Sequence, residues 1–178
     1  NPNPNGDRTM TSIIKVDQIQ NAAGVGGLTI DSNGLILPKV PTFEAQKTSN
    51  QSVTSSTWTK VTFDQENYDT AGMWDAANSK LIPTVAGYYQ INLMLAIDNG
   101  TNTAALSVIY KNGSVHRRSA YTYFTTQELD DYGVAGSVQV YCNGTTDYIE
   151  AYTYIIGTTP TLNGYGNGTG STISGHLI

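Results

Sequence analysis

Ile82-Pro83-Thr84-Val85-Ala86-Gly87-Tyr88-Tyr89-Gln90-Ile91-Asn92-Leu93-Met94-Leu95-Ala96-Ile97 is the stretch whose reading decides the fold. From Tyr89 onward every second residue is large and apolar: Tyr89, Ile91, Leu93, Leu95 and Ile97. Gln90, Asn92, Met94 and Ala96 fall between them. Side chains of an extended strand alternate between faces, so the pattern predicts a long strand with one fully apolar face. Burial of those side chains contributes roughly 1.5–3 kcal/mol each, which predicts a central position. Pro83 and Gly87 predict a turn and then a bend just ahead of it.

Outward from this strand, the chain reads as all-β from Val40 to Ile178. Thr59, Val61 and Phe63 alternate behind Trp58. Leu106, Val108 and Tyr110 lead into Asn112-Gly113, a two-residue hairpin signal. Val138, Val140 and Cys142 lead into Asn143-Gly144, and another strand follows from Tyr148 to Ile156. No stretch sustains a helical period with caps. Short strands between turns predict a sandwich or jelly roll. The run from Asn163 to Gly170 reads as a Gly-rich loop, and Ser171 to Ile178 as a closing strand, with Leu177-Ile178 expected to pack in.

Only 13% of the 178 residues are charged, against about 25% in typical soluble domains. Asn, Thr, Ser, Gly and Tyr fill the gap, as suits an extracellular or particle-borne surface. The net charge of -5 lacks the basic footprint of a nucleic-acid binder. The single cysteine, Cys142, excludes an internal disulfide and reads as a small buried hydrophobe. No apolar run is long enough to span a membrane. The start has no hydrophobic core of a signal peptide, so assembly into a particle is the expected route outside a cell.

Residues 1–39 read as a separate segment. Residues 1–9 have nothing to bury and are expected to order only on a partner. Ile13, Ile14, Val16 and Ile19 fit neither the helical nor the strand period, and are the candidate attachment residues. Leu28 to Ile30, the Asp31-Ser32-Asn33-Gly34 turn and Leu35 to Leu37 read as strand, turn, strand. So small a unit needs identical copies around an axis, or a docking surface.

Tyrosine is the most telling residue type, with twelve copies. Between Tyr148 and Ile155 one face carries Ile149, Ala151, Thr153 and Ile155, and the other Tyr148, Glu150, Tyr152 and Tyr154. Two faces that both favour burial predict that the tyrosine face is a subunit interface. Tyr121, Ile173 and Leu177 are expected to join it.

Residues from about 40 to 178 resemble the globular head of complement subcomponent q and its tumour-necrosis-factor-like relatives. The marks are Phe43-Glu44-Ala45, Trp58 to Asp64, Tyr68-Asp69, Pro83 to Ile91 with its Pro…Gly-x-Tyr-x-Ile pattern, and the close at Ser171 to Ile178. The departures are Ile173, where the family has Phe, and a long Thr/Gly/Asn-rich loop before the last strand. The resemblance implies a jelly roll of ten strands that assembles as a homotrimer about a three-fold axis. Ser12 to Gly24 and Gly27 to Gly34 are similar to the opening of virion structural proteins of tailed bacteriophages, especially those of marine bacteria and cyanobacteria. That similarity implies a short trimeric stalk or attachment segment.

No catalytic constellation is visible. His116, beside Arg117 and Arg118 past a hairpin turn, reads as a solvated strand end. His176 would meet its copies only at a three-fold axis. There is no His-Glu-x-x-His motif, Cys-x-x-Cys pair or Gly-x-Ser-x-Gly elbow. The alternating glycines Gly164 to Gly170 precede no helix and do not cradle phosphate. Glu128, Asp130 and Asp131 offer oxygens to calcium, but their spacing is not a calcium-loop motif, so they read as a solvated acidic loop. No cofactor or metal is expected.

The reading that follows is a non-enzymatic trimeric phage virion protein. Residues 1–39 contact other virion proteins, and the head binds a host-surface glycan or protein, as in a tail fibre. Trp74, Tyr123 and Tyr165 are the candidate loop contacts. The alternatives are a capsid decoration trimer and a secreted trimeric lectin-like ligand. A glycan depolymerase would need paired carboxylates, and none stands in a recognisable frame.

Overall fold

A computed structural model describes residues 16–20, 22–23, 26–98, 101–124, 132–165 and 169–178. The chain divides into two compact units, Asn1–Lys39 and Val40–Ile178. In the first unit, β1 (Gln18–Gln20), β2 (Gly26–Ile30) and β3 (Ile36–Pro38) form an antiparallel sheet in that order. The turn between β2 and β3 is built by Asp31, whose Oδ1 accepts the backbone N–H groups of Asn33 and Leu35, and by Gly34 at φ 79°. Such an Asx turn is what Asp-x-Asn-Gly favours. None of the described side chains of this unit is fully buried; Ile19, Leu35 and Ile36 are more than half exposed.

The second unit is an antiparallel two-sheet sandwich. Its strands are β4 (Thr42–Gln46), β5 (Gln51–Ser52), β6 (Thr59–Lys60), β7 (Gln65–Asp69), β8 (Trp74–Asp75) and β9 (Lys80–Leu81). The longer ones follow: β10 (Gly87–Asp98), β11 (Asn102–Lys111), β12 (Ser114–Tyr123), β13 (Tyr132–Cys142), β14 (Ile149–Gly157), the short β15 (Thr161–Leu162) and β16 (Thr172–Leu177). The first sheet runs β13-β10-β16-β4-β7, with β15 and β5 continuing from the far end of β10. The second runs β12-β11-β14-β9-β8, with β6 on β14.

The strand that decides the fold is central. β10 pairs with β13 from Gly87↔Cys142 to Ile97↔Tyr132, and on its other edge with β16 from Tyr89↔Leu177 to Met94↔Thr172. Tyr89, Ile91, Leu93, Leu95 and Ile97 are all buried in the core, and the Tyr89 hydroxyl donates to the Val85 carbonyl at 2.9 Å. Gly87 opens the strand at φ 156°, and a Cβ there would lie 2.5 Å from Leu177 Cδ1. The Asn112-Gly113 hairpin has both residues at positive φ, 53° and 76°, the type I′ geometry that matches strand twist. Cys142 is buried, and burial pushes its thiol up to about 11.

One expectation changes, and the facing of β11 is a new finding. Leu106, Val108 and Tyr110 point away from the core. The inward side chains of β11 are Ala105, Ser107 and Ile109; Ala105 and Ile109 belong to the core cluster, whereas Leu106 and Val108 do not. The inward polar groups are satisfied: the Ser107 hydroxyl lies 2.7 Å from that of Ser119, and in β14 Thr153 Oγ1 donates to the Leu106 carbonyl at 2.9 Å. The last residue of the described chain, Ile178, is 58% exposed rather than packed in. Odd and even positions of β16 face opposite ways, and Ile178 falls on the outward set.

A polar clasp ties the strand-linking segments together. Lys47 is 2% exposed, and its Nζ donates to Thr62 O and Oγ1 at 2.8 and 3.0 Å. Burial lowers the Lys47 pKa, and Asp64 opposes that shift. Asp64 accepts the Thr48 N–H at 2.5 Å, the Ser49 N–H at 3.2 Å and the Ser49 hydroxyl. Burial alone would raise the Asp64 carboxyl, but the hydrogen bonds from Ser49 and Thr48 outweigh it and lower it from 3.8 to about 2. A carboxylate depressed on folding contributes stability above its unfolded pKa, and loses it as pH falls through the folded value. Asp64 is exposed, so solvent screening leaves about 1 kcal/mol. Asp64→Asn is therefore expected to be less stable than the wild type by about that amount at pH 7. Urea unfolding at falling pH is expected to show the gap closing between pH 4 and pH 2.

Candidate functional site on the outer sheet faces

The outward face of the second sheet is aromatic. In an antiparallel ladder, residues opposite each other share a face. Tyr121 and Tyr154 therefore flank Leu106, Tyr123 and Ile156 flank Ala104, and Arg118 and Tyr152 flank Val108. Ala104, Leu106 and Val108 are 1%, 7% and 1% exposed although they point away from the core. The large side chains beside them in register supply the cover. β6 pairs Thr59 with Thr153, which puts Trp58 beside Tyr154.

The rings form two groups. Tyr110 stacks on Tyr152 with centroids 3.9 Å apart, and Trp58 lies 5.2 Å from Tyr154 and 6.4 Å from Tyr110. Tyr121 and Tyr123 are 4.6 Å apart, and the Arg118 guanidinium sits 5.1 Å from the Tyr121 centroid. Tyr123 is 74% exposed; Tyr121 and Trp58 are 41% exposed. Lys60 and Glu150 form an ion pair of 2.5 Å beside Tyr152. A hydrogen bond with Tyr123 raises the Tyr121 phenol, and burial, then Glu150, raises that of Tyr152. Both phenols are therefore protonated donors at neutral pH.

The outward face of the first sheet is different. Its rows, read across β13, β10 and β16, begin with Tyr141, Tyr88 and Ile178. Gln139, Gln90 and His176 come next, then Ser137, Asn92 and Ser174. Ala135, Met94 and Thr172 form the following row, and Gly133 with Ala96 the last. No Asp, Glu, Lys or Arg stands in these rows. Asn92, Met94, Ala135, Ser137, Thr172 and Ser174 line a shallow depression of about 330 Å3. Ser137 donates to Asn92 Oδ1 at 2.7 Å and accepts from Gln90. Tyr88 and Tyr141 meet edge to face at 5.4 Å.

The residues expected at one interface therefore divide between two sheets. Tyr121, Tyr152 and Tyr154 share the aromatic face, and Tyr148 lies just ahead of β14 under Lys80, whose Nζ is 5.2 Å from its ring centroid. Ile173 is corrected: it is 1% exposed and belongs to the core. Leu177 also points inward and packs against the core. The alternation of β16 gives Ser174, His176 and Ile178 the outward positions. Trp74 is corrected as well. It is not a loop contact but a core residue, 9% exposed, stacked on Phe43 at 5.5 Å and edge-on to Phe63 at 6.1 Å. Its position follows from Asp69, which accepts the backbone N–H groups of Ala71, Met73 and Trp74 and turns the chain inward.

Tyr123 is as exposed as a contact residue must be. Tyr165 is half-buried, and its hydroxyl accepts from Asn163 Nδ2 at 3.0 Å. Val16 and Ile19 are exposed, while Ile13, Ile14, Glu128, Asp130 and Asp131 lie outside the described residues. Trp58 and Tyr110 were not singled out as site residues. The strand parity that groups Tyr152 with Tyr154 would have found Tyr110 once β11 was placed beside β14. Among the described residues, no three His, Cys, Asp or Glu side chains gather to hold a metal ion.

No protein-family model and no curated protein sequence matches the chain. Solved structures do. The globular domain of zebrafish complement 1qA protein matches with a TM-score of 0.57 at 12% identity, over 78% of this chain and 97% of that one. Murine APRIL matches at 0.60 and 11% identity, over 79% and 100%. Eiger TNF from S. frugiperda matches at 0.56 and 9% identity, over 79% and 93%. The likeness is one of fold: the chain carries the jelly roll of complement 1q heads and tumour-necrosis-factor-like ligands.

Leu106 tests the cover that the rings provide. Leu106→Ala removes a buried side chain outside the core cluster, and is expected to destabilise the protein by about 2 kcal/mol, as a core Leu→Ala substitution does. Urea unfolding measures it. A change within about 0.5 kcal/mol, the range of ordinary surface substitutions, would mean that the rings do not seal the face.

Proposed function

We propose that the protein is a non-enzymatic homotrimeric head on a phage particle, attached through residues 1–39 and used to recognise the host surface. The observation that carries the trimer is the part of the first-sheet face on β13, β10 and β16, with rows running from Ile178, Tyr88 and Tyr141 to Ala96 and Gly133 without an Asp, Glu, Lys or Arg. Charge depletion marks the centre of a protein interface. The small side chains Ala135, Ser137, Thr172 and Ser174 leave a depression that a neighbouring copy's side chains fill. The jelly-roll fold, resembling heads that assemble as trimers, supports the same arrangement.

The first unit supports attachment. Its apolar side chains Ile19, Leu35 and Ile36 are more than half exposed, so its stability comes from copies or from a docking partner. The similarity of Ser12 to Gly34 to tailed-phage virion proteins supports the particle as that setting. Three heads per trimer and many trimers per particle let weak single sites hold a host cell.

Light scattering on the full chain is expected to give about 57 kDa, three times the 19.1 kDa of one copy. Gold-labelled antibody to the head is expected to decorate intact particles. A 19 kDa species would overturn the trimer, and unlabelled particles would overturn the virion location.

A further inference from the structure

We infer that the aromatic face of the second sheet is a binding site for an acidic polysaccharide, with Tyr121, Tyr154 and Trp58 as the stacking platform and Arg118 as the anion contact. This rests on the proposed recognition role and names its ligand class. The argument starts from the charges. Of the cations described in Val40–Ile178, Lys47 is buried on Thr62. Lys60 pairs with Glu150, Lys80 with Asp75, and Lys111 with Asp147. Among the described residues of Val40–Ile178, Arg117 and Arg118 are the exposed cations without a carboxylate partner. Both stand on β12, the strand that carries Tyr121 and Tyr123.

The guanidinium of Arg118 is held against the Tyr121 ring at 5.1 Å. Its planar fork is thus ordered in advance but still has donors to offer, and that fork matches a carboxylate or sulfate in two-point geometry. Glu150, the carboxylate on this face, is already neutralised by Lys60. The net charge of -5 acts weakly here, since charges more than about 8 Å away are screened at physiological salt.

The rings supply the rest. Tyr121, Tyr154 and Trp58 stand on β12, on β14 and at the lead of β6, in one row across the strands. With strands about 4.8 Å apart, the row is roughly 14 Å long, the length of a short oligosaccharide. Aromatic faces stack on the C–H faces of sugars, and phenol hydroxyls bond their hydroxyls. A nucleic acid would also offer anions and flat faces, but the one free guanidinium on this face does not neutralise a phosphate backbone.

The two tryptophans supply the assay. Trp58 is 41% exposed on the platform and Trp74 is buried in the core, so a change in tryptophan emission on ligand addition reports Trp58. The full chain is titrated with polygalacturonate, chondroitin sulfate and neutral dextran. At least one anionic polymer is expected to change the emission saturably, more weakly at high salt, and dextran at least tenfold more weakly. Arg118→Gln, which keeps most of the side chain's length at an exposed position, is expected to weaken binding at least tenfold with unchanged thermal unfolding. No response to either anionic polymer overturns the inference. So does equal binding of dextran, or wild-type affinity in Arg118→Gln. Light scattering on the same samples separates the two readings: a trimer that ignores the anionic polymers sinks the ligand alone, and a monomer that binds them sinks the trimer alone.

Discussion

The register of β10 against its two neighbours is the constraint on which the rest of the head depends. With Tyr89 opposite Val140 on one side and Leu177 on the other, the odd-numbered residues of β10 all face the core. A slip of one residue would bury Gln90 and Asn92 and expose Ile91 and Leu93. Each buried polar group left without a partner would cost about 1–3 kcal/mol, so the register has no close competitor. The same parity fixes the outward rows. Tyr88, Gln90, Asn92 and Met94 must line the opposite face together with Ser137, Ala135, Ser174 and Thr172. The absence of charge on β13, β10 and β16 follows from which residues the core strand leaves outside, and Glu44 of β4, opposite Ser174, is the first carboxylate beyond them.

The second sheet answers a different problem. Its strand β11 carries apolar residues on both sides, Ala105 and Ile109 inward and Leu106 and Val108 outward. An outward Leu and Val need cover, and the tyrosines of β12 and β14 with Trp58 provide it while their hydroxyls and edges stay wet. One head thereby presents two faces of distinct chemistry. The first is neutral and flat with a depression, suited to another copy. The second is aromatic with an unpaired guanidinium at its margin, suited to a ligand with apolar faces and anionic groups.

Much of this was legible in the sequence. The two-residue period of β10 and the Ile149/Ala151 against Tyr152/Tyr154 alternation of β14 are strong signals because the two faces of each strand differ in chemistry. Asn112-Gly113 announced its turn because few other pairs accept two positive φ values. The orientation of β11 was not legible. Both of its parities carry apolar residues, Leu106 and Val108 on one and Ala105 and Ile109 on the other, so the two-residue period alone does not choose the inward face. Trp74 reads as a loop contact because an aromatic side chain suits stacking on a sugar. The inward pull comes from Asp69 and the rings of Phe43 and Phe63, which are distant in sequence. A buried closing strand suggests Ile173 and Leu177 for the interface, but strand parity gives the outward face to Ser174, His176 and Ile178.

The assignment of one face to self-association and the other to ligand is tested most directly by light scattering on two arginine substitutions, Ser137→Arg and Tyr123→Arg. A charge at Ser137 falls in the middle of the neutral face, beside Asn92 and Ser174. A charge at Tyr123 falls on the exposed aromatic face. The account expects Ser137→Arg to fall to the 19.1 kDa of a single chain and Tyr123→Arg to keep the trimer mass. A trimeric Ser137→Arg together with a monomeric Tyr123→Arg would exchange the roles of the two faces and contradict it.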